Sequence, residues 1–139
     1  MNAYRWDELE VGLHHEFQVT LTADAMRAFA ALSGDTNPLH ADAAYAEGAG
    51  FRGPVVFGLC TSAFYSRLVG VYLPGRHALL HGIDLEFVSP AYVGDALLVA
   101  GEISYLSDAY RRIELRGRIT NQEGKIVSKA KIRVGLHVS

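Results

Sequence analysis

The 139 residues carry 13 Lys and Arg against 15 Asp and Glu, a formal net charge of -2, with 50% of positions hydrophobic and 20% charged. That length suits one domain, residues 1–139, with a real core, and that composition excludes the disordered class. The basic residues are scattered, so nothing favours nucleic acid, and the single Cys60 excludes an internal disulfide and fits a reducing compartment.

The opening "MNAYRWDELEVG" has charges where a signal peptide needs its apolar run, which predicts a cytoplasmic protein. In "HHEFQVTLT" (His14 to Thr22), Phe17, Val19 and Leu21 alternate with polar neighbours, the pattern of a strand. Thr22 then suits an N-cap. "ADAMRAFAALSG" sets Met26, Phe29, Ala30 and Leu32 at helical spacing, and Gly34 suits the helix end. "ADAAYAEGAG" predicts a short helix ending at Gly48, followed by the loop "FRGP".

"PVVFGLCTSAFYSRLVGVYLPG", Pro54 to Gly75, is apolar enough to pass for a membrane span, yet it holds Arg67 and small polar residues between proline and glycine ends. A bilayer helix tolerates a central arginine badly, so the prediction is a buried helix, apolar on most sides because protein surrounds it. Four β-rich stretches follow: "HALLHGIDLEFVS", "ALLVAGEISYLS", "YRRIELRGRIT" and "KIVSKAKIRVGLHV". In the third, Ile113, Leu115, Gly117 and Ile119 share one face and Arg112, Glu114, Arg116 and Arg118 the other. "NQEGK" suits a hairpin with Gly124 at its tight position. The layout is α+β, an antiparallel sheet wrapped around one long helix. A sheet covers such a helix on one side only, so a second copy is expected over the other side and an edge strand, as a homodimer.

Between the first two helices lies "SGDTNPLHAD", Ser33 to Asp42. Pro38 pushes Asn37 away from helical backbone, and the resulting turn is able to fold Asp35 and His40 toward one point. A carboxylate and an imidazole converging on one water suit general acid–base work near neutral pH, and Asn37 would steady the turn. On the pattern alone the plainer reading stands beside this: Asp35 caps the following residues and His40 is a satisfied surface histidine. Gly58, expected in the first turns of the buried helix, offers a backbone N–H to an oxygen gaining charge, or simply permits close packing.

"FAALSGDTNPLHAD", "FRGPVVFGLCTSAFYSRLVGVYLPG" and "LEFVSPAYVGDAL" together resemble the MaoC-like, or (R)-specific enoyl-CoA hydratase, family over about Leu21 to Leu98. The resemblance implies a hot-dog fold, usually dimeric, and reversible syn addition of water to a trans-2-enoyl thioester on coenzyme A or a carrier protein. It implies Asp35 and His40 as the pair holding and activating water, and the Gly58 amide as partner of the thioester oxygen. Ser66 and Val69 would lie near the acyl pocket, with Phe64 and Tyr65 either narrowing it or serving as core. The reaction needs no metal or redox cofactor. One departure stands out: the family often has histidine before that glycine, where this chain has Phe57.

Other residues carry weaker signals. His77 and His81 share a strand face but lack a third metal ligand, and Cys60 reads as a core residue. His14, His15 and His137 read as solvated or edge residues, and Arg52, Arg67, Arg76 and Arg111 as exposed charges. Two competing readings keep the fold but change the activity: a hot-dog acyl-CoA thioesterase, and a non-catalytic acyl-thioester binding subunit. The dimer could also pair into a dimer of dimers.

Overall fold

The computed structural model describes residues 1–137, so Val138, at the end of the last β-rich stretch, lies outside the described residues. Five strands form one antiparallel sheet: β1 (His14–Thr20), β2 (Ala78–Phe87), β3 (Ala96–Ser107), β4 (Arg112–Thr120) and β5 (Ile126–Leu136). Their order across the sheet is β1-β3-β4-β5-β2. Alternation decides which face is buried: in β4, Ile113, Leu115, Gly117 and Ile119 point inward while Arg112, Arg116 and Arg118 face solvent. The β4–β5 hairpin closes on Asn121, whose side chain accepts from the Glu123 and Lys125 amides, with Gly124 at φ 75°.

The strand order holds a crossing that alternation cannot reveal. β2 and β3 are successive in the chain, yet β2 pairs with β5 at one edge and β3 pairs with β1 and β4. The connection from Val88 to Asp95 therefore travels across one end of the sheet. On the way Ala91 accepts a hydrogen bond from the Val56 amide (2.8 Å), which ties it to the approach of the buried helix.

Three helices complete the fold. α1 (Ala23–Ser33) starts where Thr22 accepts from the Ala25 amide, and it ends at Gly34, whose φ of 71° suits glycine. α2 (Ala43–Gly48) is capped by Asp42, which accepts from the Tyr45 amide. α3 (Gly58–Arg67) is the central helix, and it widens into a π turn over Leu68–Tyr72. Its start is sharper than the sequence suggests: Pro54 to Phe57 carry no regular secondary structure, and Gly58 is the first helical residue.

The inner face of α3 and its π turn bury Cys60, Thr61, Tyr65, Leu68 and Val69 against the sheet. Each large apolar side chain so buried contributes about 1.5–3 kcal/mol. Tyr65 crosses to the sheet, where its hydroxyl shares a 2.9 Å hydrogen bond with Ser128, and both side chains are buried. Only glycine fits beneath that ring at position 117, because a Cβ there would stand 2.7 Å from a Tyr65 ring carbon. The helix is not surrounded on every side. Leu59, Ala63, Ser66 and Arg67 form an exposed face, and Leu79, Leu80 and Phe87 are exposed along edge strand β2. Among the described residues no helix is long and apolar enough to cross a membrane.

Candidate active site

The turn between α1 and α2 is held by its own polar side chains together with backbone bonds to the Asn37 and Pro38 carbonyls, and the Val55 amide donates to the Leu39 carbonyl (3.0 Å). Ser33 accepts from the Asp35 amide (3.2 Å), Asp35 Oδ1 from the Asn37 amide (3.0 Å), and Asn37 Oδ1 from the Leu39 amide (3.0 Å). Asn37 thus caps a single 3-10 turn, Pro38–His40, with proline at the first position, where a missing N–H costs nothing. Asp35 stays exposed, with its second carboxylate oxygen outside this set of bonds. The plainer reading of Asp35 as a local cap is part of the truth, since one oxygen does hold the turn.

His40 is half-buried and held twice. Its Nδ1 lies 2.6 Å from the Val55 carbonyl oxygen, and its ring stacks on Phe57 with centroids 4.1 Å apart at 30°. A carbonyl oxygen only accepts, so Nδ1 must carry the hydrogen. In the neutral imidazole the lone pair then resides on Nε2. That is the tautomer a general base requires, and it also rules out the freely solvated surface histidine.

Phe57 leads directly into Gly58 and α3. The Cys60 and Thr61 amides turn back to the Phe57 carbonyl (3.0 and 3.2 Å), while the Gly58 amide has no hydrogen-bond partner among the described residues. Such an N–H at a helix start is available to an oxygen that gains negative charge. Close packing is real as well: a Cβ on Gly58 would stand 2.8 Å from the Phe87 ring at the end of β2.

One cavity of about 470 Å³ has Asp35, His40 and Gly58 in its wall. Its other walls are mostly apolar, including Phe29, Phe51, Phe87 and Val88. Asn37 shapes the turn without lining this space. Ser66 lies on the exposed face of α3 and Val69 in the buried core, and neither borders the cavity in the single chain. Phe64 packs half-buried against the core and Tyr65 lies within it, so both serve packing.

Val55 and Phe87 carry parts of this geometry that the sequence does not reveal. Val55 acts through its carbonyl, which every residue has, and Phe87 arrives from the far end of an edge strand. Among the described residues no cluster of three His, Cys, Asp or Glu could hold a metal ion. His81 is the extra residue of a β-bulge between Leu80 and Gly82, so alternation does not align it with His77. His15, read as an edge residue, is bonded by Tyr4 at 2.7 Å. Arg52 lies 3.6 Å from buried Asp95 and over the Tyr92 ring. Burial raises the Cys60 thiol, which is unsuited to nucleophilic work.

Known proteins resemble this chain over nearly its whole length. The family described as "MaoC like domain" matches residues 8–124, beyond the Leu21–Leu98 span of the quoted motifs. An (R)-specific enoyl-CoA hydratase from Aeromonas caviae is 36% identical over 118 residues, 85% of this chain and 88% of the relative. A 3-hydroxybutyryl-CoA dehydratase from Methylorubrum extorquens is 31% identical over 110 residues, 79% of this chain and 70% of the relative. Among solved structures, the (R)-hydratase of A. caviae involved in PHA biosynthesis superposes with TM-score 0.87 at 35% identity, covering 92% of this chain and 97% of that one. The unliganded R-hydratase of Pseudomonas aeruginosa gives TM-score 0.87 at 33% identity, covering 94% and 84%.

Proposed function

The chain belongs to the MaoC-like domain family, and from that premise we propose that it is an (R)-specific enoyl-thioester hydratase. It adds water reversibly to a trans-2-enoyl thioester to give the (R)-3-hydroxyacyl product. The observation that carries this reading is the single cavity bordered by Asp35, His40 and Gly58. The names of the relatives in A. caviae and M. extorquens support both the substrate class and the two directions of reaction.

The chemistry follows from the groups. His40 Nε2 takes a proton from water, whose oxygen forms a bond to the β-carbon of the enoyl group. The alkene π pair shifts toward the thioester carbonyl, and negative charge develops on its oxygen. The Gly58 amide donates to that oxygen and is best matched to it only once the charge has formed. The proton taken by His40 is then delivered to the α-carbon on the same face through Asp35, so that the addition ends with both groups as they began. Dehydration runs the same steps in reverse.

The partner of this chain is a second copy. An exposed edge strand and an exposed helix face beside the cavity are both covered by a homodimer, the form this reading takes. A cytoplasmic setting accords with a lone buried thiol. The test is loss of enoyl-thioester absorbance with crotonyl-CoA and longer trans-2-enoyl-CoAs, followed by chiral analysis of the product. Release of free thiol instead would make the protein a thioesterase. Saturable binding with no turnover at any chain length would leave a binding subunit.

A further inference from the structure

Resting on the hydratase reading, we propose that Phe57 is a positioning residue that fixes the His40 imidazole by stacking on it, within a cluster of three rings. Phe57 is 5% exposed, stacked with His40 (4.1 Å, 30°) and in tilted contact with Phe29 of α1 (4.8 Å, 47°). These rings join three separate segments: the helix that delivers Asp35, the turn that carries His40, and the residue that immediately precedes Gly58 at the start of α3.

A hydrogen bond from Nδ1 to Val55 fixes one point of the imidazole but leaves the ring free to swing about that bond. A face-on contact removes that freedom, because rotating the imidazole would break the stack. The two restraints together aim Nε2. Phe29 packs on Phe57 in turn, and being on α1 it refers the imidazole to the same helix whose end leads to Asp35.

The chemistry of the ring suits this task better than a polar one. Phenylalanine has no nitrogen or oxygen with which to bind the catalytic water or share the proton that His40 removes. A second imidazole here would titrate beside His40 and compete for the same partners. Phe57 therefore contributes shape without entering the proton transfers, and aligned reacting groups are where small displacements cost most: an error of about 1 Å can cost about 10²-fold.

The test compares the parent with Phe57→Leu, which keeps much of the volume and removes the ring, and with Phe57→Tyr, which keeps the ring. Leucine should lower kcat about 10- to 100-fold with KM little changed, and tyrosine should stay near the parent. In parallel, NMR of imidazole-labelled protein follows the His40 ring protons, which the Phe57 ring current displaces from the position of exposed His14. That displacement should collapse in Phe57→Leu. An unmoved His40 signal, or a Phe57→Leu kcat equal to that of the parent, overturns the proposal. Should Phe57→Leu not fold, Phe29→Leu removes only the backing ring and is expected to act in the same direction, with the same two readings deciding. If the parent hydrates no enoyl thioester, the hydratase reading fails, and the NMR comparison alone decides whether Phe57 holds the imidazole.

Discussion

His40 donates its Nδ1 hydrogen to the Val55 carbonyl at 2.6 Å, across 15 residues of chain. This bond couples the 3-10 turn to the irregular segment that leads into the central helix, and it selects the tautomer whose lone pair is on Nε2. Replacing His40 with Asn keeps an N–H able to meet Val55 but removes the base. We expect kcat to fall by about 10²- to 10⁴-fold while the melting temperature stays close to that of the parent. Crotonyl-CoA hydration and thermal unfolding measure the two effects, and near-parent turnover would remove His40 from the mechanism.

Asp35 has two separable duties. One oxygen accepts from the Asn37 amide, and in the proposed reaction the carboxyl passes a proton to the α-carbon. Asp35→Asn preserves an acceptor for that amide, whereas Asp35→Ala loses both duties. Both variants should lose about 10²- to 10⁴-fold in kcat, but only Asp35→Ala should also lose stability, seen as a lower urea midpoint. Equal stability in the two would show that the turn does not depend on this bond.

Gly58 answers both to packing and to the open amide. In Gly58→Ala the new methyl meets the Phe87 ring at 2.8 Å, an overpacking worth about 1–3 kcal/mol. Gly58 and Phe87 both border the cavity, so the methyl is added at its wall. Adding Phe87→Leu should restore the melting temperature but leave kcat/KM low. Full recovery of activity in the double variant would reduce Gly58 to a packing residue.

Tyr65 provides a test at alkaline pH. Burial raises its hydroxyl from the ordinary 10.0 to about 12, while the hydrogen bond with Ser128 acts in the opposite direction. The folded state therefore keeps this proton where the unfolded state has released it. Its contribution to stability is fully present below pH 10 and is lost as pH rises toward about 12. Urea unfolding across that window should show the loss in the parent and a shallower one in Tyr65→Phe. Separately, Ser128→Ala leaves a buried hydroxyl unpaired and should cost about 1–3 kcal/mol at neutral pH.

The edge strand supplies the test of assembly. Leu79 and Leu80 are both about half exposed, at 46% and 48%, on a long unpaired edge. Light scattering should give twice the mass of one chain for the parent. Leu79→Lys with Leu80→Lys should shift it toward the single-chain mass, and activity should fall with it, since exposed Leu59 and Phe87 border both the cavity and the uncovered face. A parent that is already monomeric and active would exclude the second copy.

Local physics was readable in the sequence wherever it suffices. Thr22 and Gly34 bound α1 as expected, and the alternation of Ile113, Leu115, Gly117 and Ile119 identifies the buried face of β4. The Asp35–His40 turn was readable because its bonds run between near neighbours. Strand order was not, since β1 meets β3 and β2 meets β5 through pairings whose partners are far apart in the chain. Ser66 and Val69 came from family resemblance and lie away from the single-chain cavity. The Val55 carbonyl and the contacts among Phe29, Phe57 and His40 had no local signature, because a carbonyl looks the same at every position and a ring does not announce its neighbours.

The bonds that shape the bend from Ser33 to Asp42 run mostly within that decapeptide, and two tie it to Val55: the one from the His40 ring and the one the Leu39 carbonyl accepts from the Val55 amide. Such a segment behaves as a portable cassette. Transplanted between two helices of an unrelated scaffold, it should keep its bend with little help from the host, yet its imidazole would wander until the host also offered a carbonyl and an aromatic ring at the same places. Shape travels with these ten residues, and aim has to be rebuilt by the recipient.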